Sequence, residues 1–123
     1  MKKYICKFLA ILCLCSLFSC SKDDNVNYEP APSPFSANID GSGNIGAAGG
    51  TVNILITAGT DGWTVSIPTT SPWCTSSKVY GSGDYILPVK IAVNTTGLER
   101  TTLVTLTPTF KLDPVNVLIT QAK

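Results

Sequence analysis

From Phe35 onward the chain alternates apolar and polar residues with a period of two. Val52, Ile54, Ile56 and Ala58 fall on one side, Thr51, Asn53 and Thr57 on the other, and Leu55 alone breaks the polar side. Successive side chains of a strand point to opposite faces, so this spacing predicts a strand with one buried face. Trp63, Val65 and Ile67 alternate with Thr64 and Ser66 in the same way, and Leu87, Val89, Ile91 and Val93 form a further apolar row. Val115, Val117 and Ile119 alternate with Asn116 and Thr120, Leu118 being the exception. Half-buried antiparallel strands carry this signature. Residues 100–107, RTTLVTLT, are rich in strand formers, but Leu103, Val104 and Leu106 keep no single side, which leaves their facing open.

Asp61-Gly62, Gly81-Ser82-Gly83-Asp84 and Thr96-Gly97 separate these rows with residues that accept or need a positive φ. Pro88 lies inside an apolar row, where it cannot donate to a ladder, and so predicts an edge strand or a bulge. No stretch combines helical periodicity with capping residues. The expected fold is all-β: an immunoglobulin-like β-sandwich of about seven antiparallel strands over residues 35–123.

The N-terminus follows a different pattern. Lys2, Lys3 and Lys7 flank the start of an apolar run from Phe8 to Phe18, the form of a secretion signal over residues 1–19. The run is too short to span a bilayer, which takes roughly 20 apolar residues. Leu17-Phe18-Ser19-Cys20 resembles the lipobox of bacterial lipoproteins, with Phe18 bulkier than the usual occupant, and makes Cys20 the expected lipidation site. Two or more acyl chains on that cysteine would hold the protein stably at a membrane, at about 0.8 kcal/mol per buried CH₂. The bland alternative is a plain signal with an incidental cysteine. Ser21-Lys22-Asp23-Asp24 resembles the export signal that carries Bacteroidetes lipoproteins to the outer face of the outer membrane, the alternative being a solvated linker start. Residues 20–34 lack an apolar period and carry Pro30, Pro32 and Pro34, so they read as a tether.

Composition then removes several functions. Charged residues make up 14% of the chain and nearly balance, so no basic face is expected to draw nucleic acid. The absence of histidine takes away the commonest general base and metal ligand. Cys6, Cys13 and Cys15 leave with the signal and Cys20 carries lipid, so Cys74 is unpaired and expected to be buried as a small hydrophobe. Gly41-Ser42-Gly43-Asn44-Ile45-Gly46 matches GxGxxG, but a strand rather than a helix is expected after it, which argues against a dinucleotide site. Asp40 to Asn44 begins like a calcium loop, yet the twelfth position is Thr51 rather than an acid. The acids fall in the tether or at turns, and no paired carboxylates or activated nucleophile are visible. Neither catalytic residues, metal nor cofactor are expected, and no catalytic domain follows the sandwich within the 123 residues.

Aromatic residues are the remaining candidates, because sugars lay C–H faces on exposed rings. Trp63 shares a strand face with Val65 and Ile67 and is expected in the core. Trp73, between Pro72 and Cys74, divides between a wall of the core and a surface platform. Tyr80 and Tyr85 bracket the GSGD turn, a position favourable to exposure, although a tyrosine closing a sandwich end is the commoner outcome. Trp73, Tyr80 and Tyr85 are thus the glycan-binding candidates.

Gly49-Gly50, Trp63-Thr64-Val65, Ser71-Pro72-Trp73, Gly81-Ser82-Gly83, Asn94-Thr95-Thr96-Gly97 leading to Arg100, and Ile119-Thr120-Gln121 together resemble the BACON domain, a name that abbreviates Bacteroidetes-associated carbohydrate-binding often N-terminal. The resemblance covers about residues 35–122; Cys74 stands where the family pattern usually has an aliphatic residue. It implies an immunoglobulin-like fold and a glycan- or mucin-binding role, and identifies no binding residue. The expected protein is a cell-surface, outer-membrane lipoprotein, anchored through Cys20, whose single domain binds mucin or polysaccharide without catalysis. The alternative is a structural module that docks a surface protein partner and binds no glycan.

Overall fold

The computed structural model describes residues 30–123; the expected signal, Cys20 and most of the tether lie outside the described residues. Nine strands and no helix occur in the described part: β1 (Ser36–Ile39), β2 (Asn44–Ile45), β3 (Gly50–Thr57), β4 (Gly62–Ser66), β5 (Cys74–Ser76), β6 (Tyr80–Ser82), β7 (Tyr85–Ile91), β8 (Arg100–Pro108) and β9 (Val115–Gln121). They form two sheets, β1-β3-β7-β5 and β2-β9-β8-β4-β6. The order β1-β3-β7 against β9-β8-β4 places strands as an immunoglobulin sandwich places A, B and E against G, F and C. The all-β sandwich is as expected, and two features refine the expected count of about seven antiparallel strands. The count is nine, because β2, β5 and β6 are pieces of two or three residues too short to show a period, and β2 runs parallel to β9. No helix among the described residues is long and apolar enough to cross a membrane.

The rows read from the sequence meet in the core. Val52, Ile54 and Ile56 of β3 stand opposite Val89, Leu87 and Tyr85 of β7, and Ile54, Leu87, Val89, Val104, Leu106 and Ile119 are fully buried. Such burial stabilises by roughly 1.5–3 kcal/mol for each large aliphatic side chain. The ambiguous β8 resolves inward at Thr102, Val104 and Leu106. Leu103 points out, directly opposite Leu118 of β9; Leu55 likewise stands opposite Ile86. The residues that broke the alternation are therefore partners in two exposed cross-strand pairs. Pro88 meets the edge expectation halfway: β5 ends at Ser76, opposite Val89, so β7 is flanked on both sides from Val89 onward and carries no β5 residue beside Pro88.

Gly49 turns the chain into β3 with φ 77°, where an added Cβ would come 2.9 Å from the Ala92 carbonyl carbon. One core position is imperfect. Thr102 faces Ile119 across the ladder, is 6% exposed, and its Oγ1 has no hydrogen-bond partner. A buried unpartnered hydroxyl costs stability that an isosteric methyl does not. Thr102→Val is expected to raise the unfolding free energy by about 1 kcal/mol, read as a higher urea midpoint at unchanged slope.

Candidate glycan-binding surfaces

The three candidate aromatics occupy three different places. Tyr85 begins β7 on the inner side, opposite Ile56, and its ring lies against Trp63 with centroids 5.8 Å apart. Lys78 sets its ammonium 4.4 Å from the Tyr85 centroid. Tyr85 thus closes one end of the sandwich, as tyrosines at such positions commonly do. Tyr80 stands on the outer face of the second sheet and is 73% exposed. Trp73 is half-buried against the core at the opposite end, just before β5. No common platform joins them.

Trp63 is in the core as expected, 1% exposed, with Nε1 donating to the Gly83 carbonyl at 2.9 Å. Its ring lies where a side chain of residue 81 would stand, an added Cβ there falling 2.6 Å from Cη2, which explains the glycine. The GSGD turn is tied down by Asp84, whose Oδ1 accepts from Ala58 N at 2.8 Å and Gly59 N at 2.9 Å. These two amides hold the Asp84 carboxyl below its ordinary value of 3.8. A depressed folded-state value contributes stability that is present above the unfolded value and is lost as pH falls through the folded one. The urea midpoint is therefore expected to fall as pH drops below about 3.8, and Asp84→Asn to flatten that acid limb.

Asp61 at the same end accepts from Ser33 N at 2.5 Å through Oδ2, so the chain is already fixed there before β1 begins. The described acids, Asp40, Asp61, Asp84, Glu99 and Asp113, all lie outside strands. Among the described residues no group of three His, Cys, Asp or Glu could hold a metal. Cys74 is buried and free, and burial pushes its thiol up to about 11.

At the Trp73 end Asn94, Arg100 and Gln121 build a polar lattice. Gln121 is fully buried; Nε2 donates to the carbonyls of Ala92 (2.8 Å), Gly46 (3.2 Å) and Ala47 (3.3 Å). Its Oε1 accepts from Arg100 Nε at 2.8 Å. Arg100 also donates to the Ala92 and Val93 carbonyls and lays its guanidinium 4.4 Å from the Trp73 ring centroid. Asn94 donates to the carbonyls of Leu98 and Ala122 and accepts from Thr96, closing the loop before β8. Asn94, Arg100 and Gln121 therefore serve the fold, and one face of Trp73 is covered by Arg100.

What remains of Trp73 lines a shallow groove of about 390 Å³ with Thr51, Pro72, Thr75 and Lys90. Thr51, Lys90 and Thr75 form one outward row across β3, β7 and β5. The groove thus joins an indole to two hydroxyls and an ammonium, with no Asp or Glu in its lining. Sequence reasoning singled out Trp73 and missed Thr51, Thr75 and Lys90, whose signal was only their polar parity within the strands. A second cleft of about 370 Å³ opens where β4 and β5 part, with Cys74 in its lining, but holds no aromatic ring or acid.

Fold and surfaces together define a two-sheet β-sandwich in which Asn94, Arg100 and Gln121 are structural. No family model matches the chain, and no curated protein matches it. Among solved structures it is similar to a Bacteroides ovatus GH5 xyloglucanase in complex with a XXXG heptasaccharide, at a TM-score of 0.60 and 24% identity. The likeness covers 71% of this chain and 19% of the enzyme, so it extends over about a fifth of that protein.

Proposed function

We propose that this protein is a non-catalytic lipoprotein, anchored through Cys20 at the outer-membrane surface, whose sandwich captures mucin or polysaccharide. The observation that carries the reading is the Trp73 groove, where an apolar ring edge, the hydroxyls of Thr51 and Thr75, and the Lys90 ammonium converge without an opposing acid. Sugars need such a pairing of apolar contact with directed donors and acceptors. The likeness of the fold to part of a xyloglucanase supports a carbohydrate-related setting. Replacing Lys90 or Trp73 with alanine should weaken retardation of the protein in gels containing a glycan it binds about tenfold, with folding verified by circular dichroism. Absence of retardation across a broad panel of mucins and polysaccharides would overturn the reading.

A second reading rests on the outward pair Leu55–Ile86, exposed by 38% and 57%. Apolar pairs on an open sheet face suit docking of a surface protein partner. Loss of a protein partner on Leu55→Ser, with glycan panels silent, would favour it.

A further inference from the structure

Open sheets normally keep charged residues on their solvent face, which maintains solubility and discourages association. The outer face of the five-stranded sheet has none. Tyr80 of β6, Thr64 of β4 and Thr107 of β8 lie in one row across the strands. Ser66, Thr105 and Asn116 form the next, with Thr105 Oγ1 donating to Asn116 Oδ1 at 2.8 Å. After the Leu103–Leu118 pair comes Thr101 opposite Thr120. Every outward position on β4, β6, β8 and β9 is thus hydroxyl, carboxamide, leucine, tyrosine or, at Gly62, glycine. Five described acids sit outside the strands, and Arg100, the charged residue of β8, turns its guanidinium to Gln121.

We infer that this face is a second glycan-contacting surface, which takes an uncharged polysaccharide chain laid across β6, β4, β8 and β9 with Tyr80 as its aromatic contact. The inference rests on the glycan reading but on a different surface from the Trp73 groove. Its chemistry is complementary to a neutral sugar polymer. Each threonine and serine hydroxyl both donates and accepts, as does each sugar hydroxyl, and the asparagine carboxamide offers both roles through separate atoms. No fixed charge is stripped of water on contact, so no uncompensated ion is buried. Tyr80, 73% exposed, supplies a ring for C–H stacking at the edge of the array. Neighbouring strands stand about 4.8 Å apart, so four of them offer a polar track of roughly 14 Å, enough for a few consecutive sugars. An anionic or cationic ligand would find no counter-charge here.

The experiment uses the full chain in detergent, with affinity gels containing xyloglucan, amylose or mixed-linkage β-glucan as neutral probes, and pectin or sulfated mucin as charged ones. Retention by at least one neutral polymer is expected, unchanged between about 0.01 and 1 M salt, where the screening length falls from about 30 to 3 Å. Tyr80→Ala and the charge insertion Thr64→Glu are each expected to weaken retention about tenfold, whereas Asn53→Ala on the other sheet is not. Neutral binding lost on Trp73→Ala but untouched by Tyr80→Ala would overturn this inference and leave the glycan reading standing at the groove. Binding confined to charged polymers and weakened by salt would do the same. Silence with every polymer would overturn both. Self-association of the protein abolished by Thr64→Glu, without glycan retention, would make the face an interface between copies of the chain.

Discussion

Trp63→Ala is expected to lower the thermal midpoint by about 12 °C or more. Truncating a fully buried tryptophan costs about 3–5 kcal/mol, and each kcal/mol shifts the midpoint of a domain this size by about 4–8 °C. The loss combines three contributions. The ring fills the space above Gly81, stands against Tyr85, and satisfies the Gly83 carbonyl through Nε1. With total stabilities of about 5–15 kcal/mol, the variant would populate unfolded chain near physiological temperature. Trp63→Phe separates the contributions. It retains most of the packing, leaves the Gly83 carbonyl without its indole donor, and should cost about 1–2 kcal/mol. Differential scanning calorimetry on both variants gives the comparison; an alanine variant that melts with the native protein would refute the placement of this ring.

Gln121→Ala is expected to cost about 3 kcal/mol in urea unfolding. The side chain is the one group that binds three carbonyls and a guanidinium at the same end, so its removal leaves both a cavity and a weakened lattice. Gly46, Ala47 and Ala92 each retain another donor, namely Gly49 N, Asn94 N and Arg100, which keeps the cost below that of fully orphaned acceptors. Arg100 loses its Oε1 partner and with it part of what holds the guanidinium over Trp73. Gln121→Glu tests the polarity of the site, because a carboxylate would face three carbonyl oxygens where the carboxamide donates. It should be at least as destabilising as alanine at neutral pH, and equal stability to the native protein would contradict the assigned orientation of the amide.

Much of this architecture was legible in the chain because period two survives tertiary context wherever one face is buried. The rows of Val52 to Ala58 and Leu87 to Ile91 needed no partner to be recognised; Trp63 declared its burial by its row with Val65 and Ile67, and Cys74 by being an unpaired cysteine. Tyr85 was legible too, since it lies two residues before Leu87 and shares its parity; its place beside a turn masked that signal. The pairings Leu55–Ile86 and Leu103–Leu118 were not, because cross-strand partners are fixed by register between distant segments. The same holds for the candidate surfaces. Thr51, Thr75 and Lys90 are ordinary outward residues until three strands align them, and Arg100 reaches Trp73 across a separation that no local pattern records. Likewise, the absence of charge from a whole face can be seen only once the strands are placed side by side.

The two ends of the folded domain also determine how it bears load. Ser33 is fastened at the Asp61 end, whereas Ala122 is held by Ile45 and Asn94 at the other, about the length of the eight-residue β3 away, or roughly 27 Å. A pull between these points runs along the strands instead of across them. β1 against β3, and β9 against β8 and β2, are then loaded in shear, so several ladder bonds must fail together before the sandwich opens. Tension between the ends would meet the fold in its mechanically stiff direction.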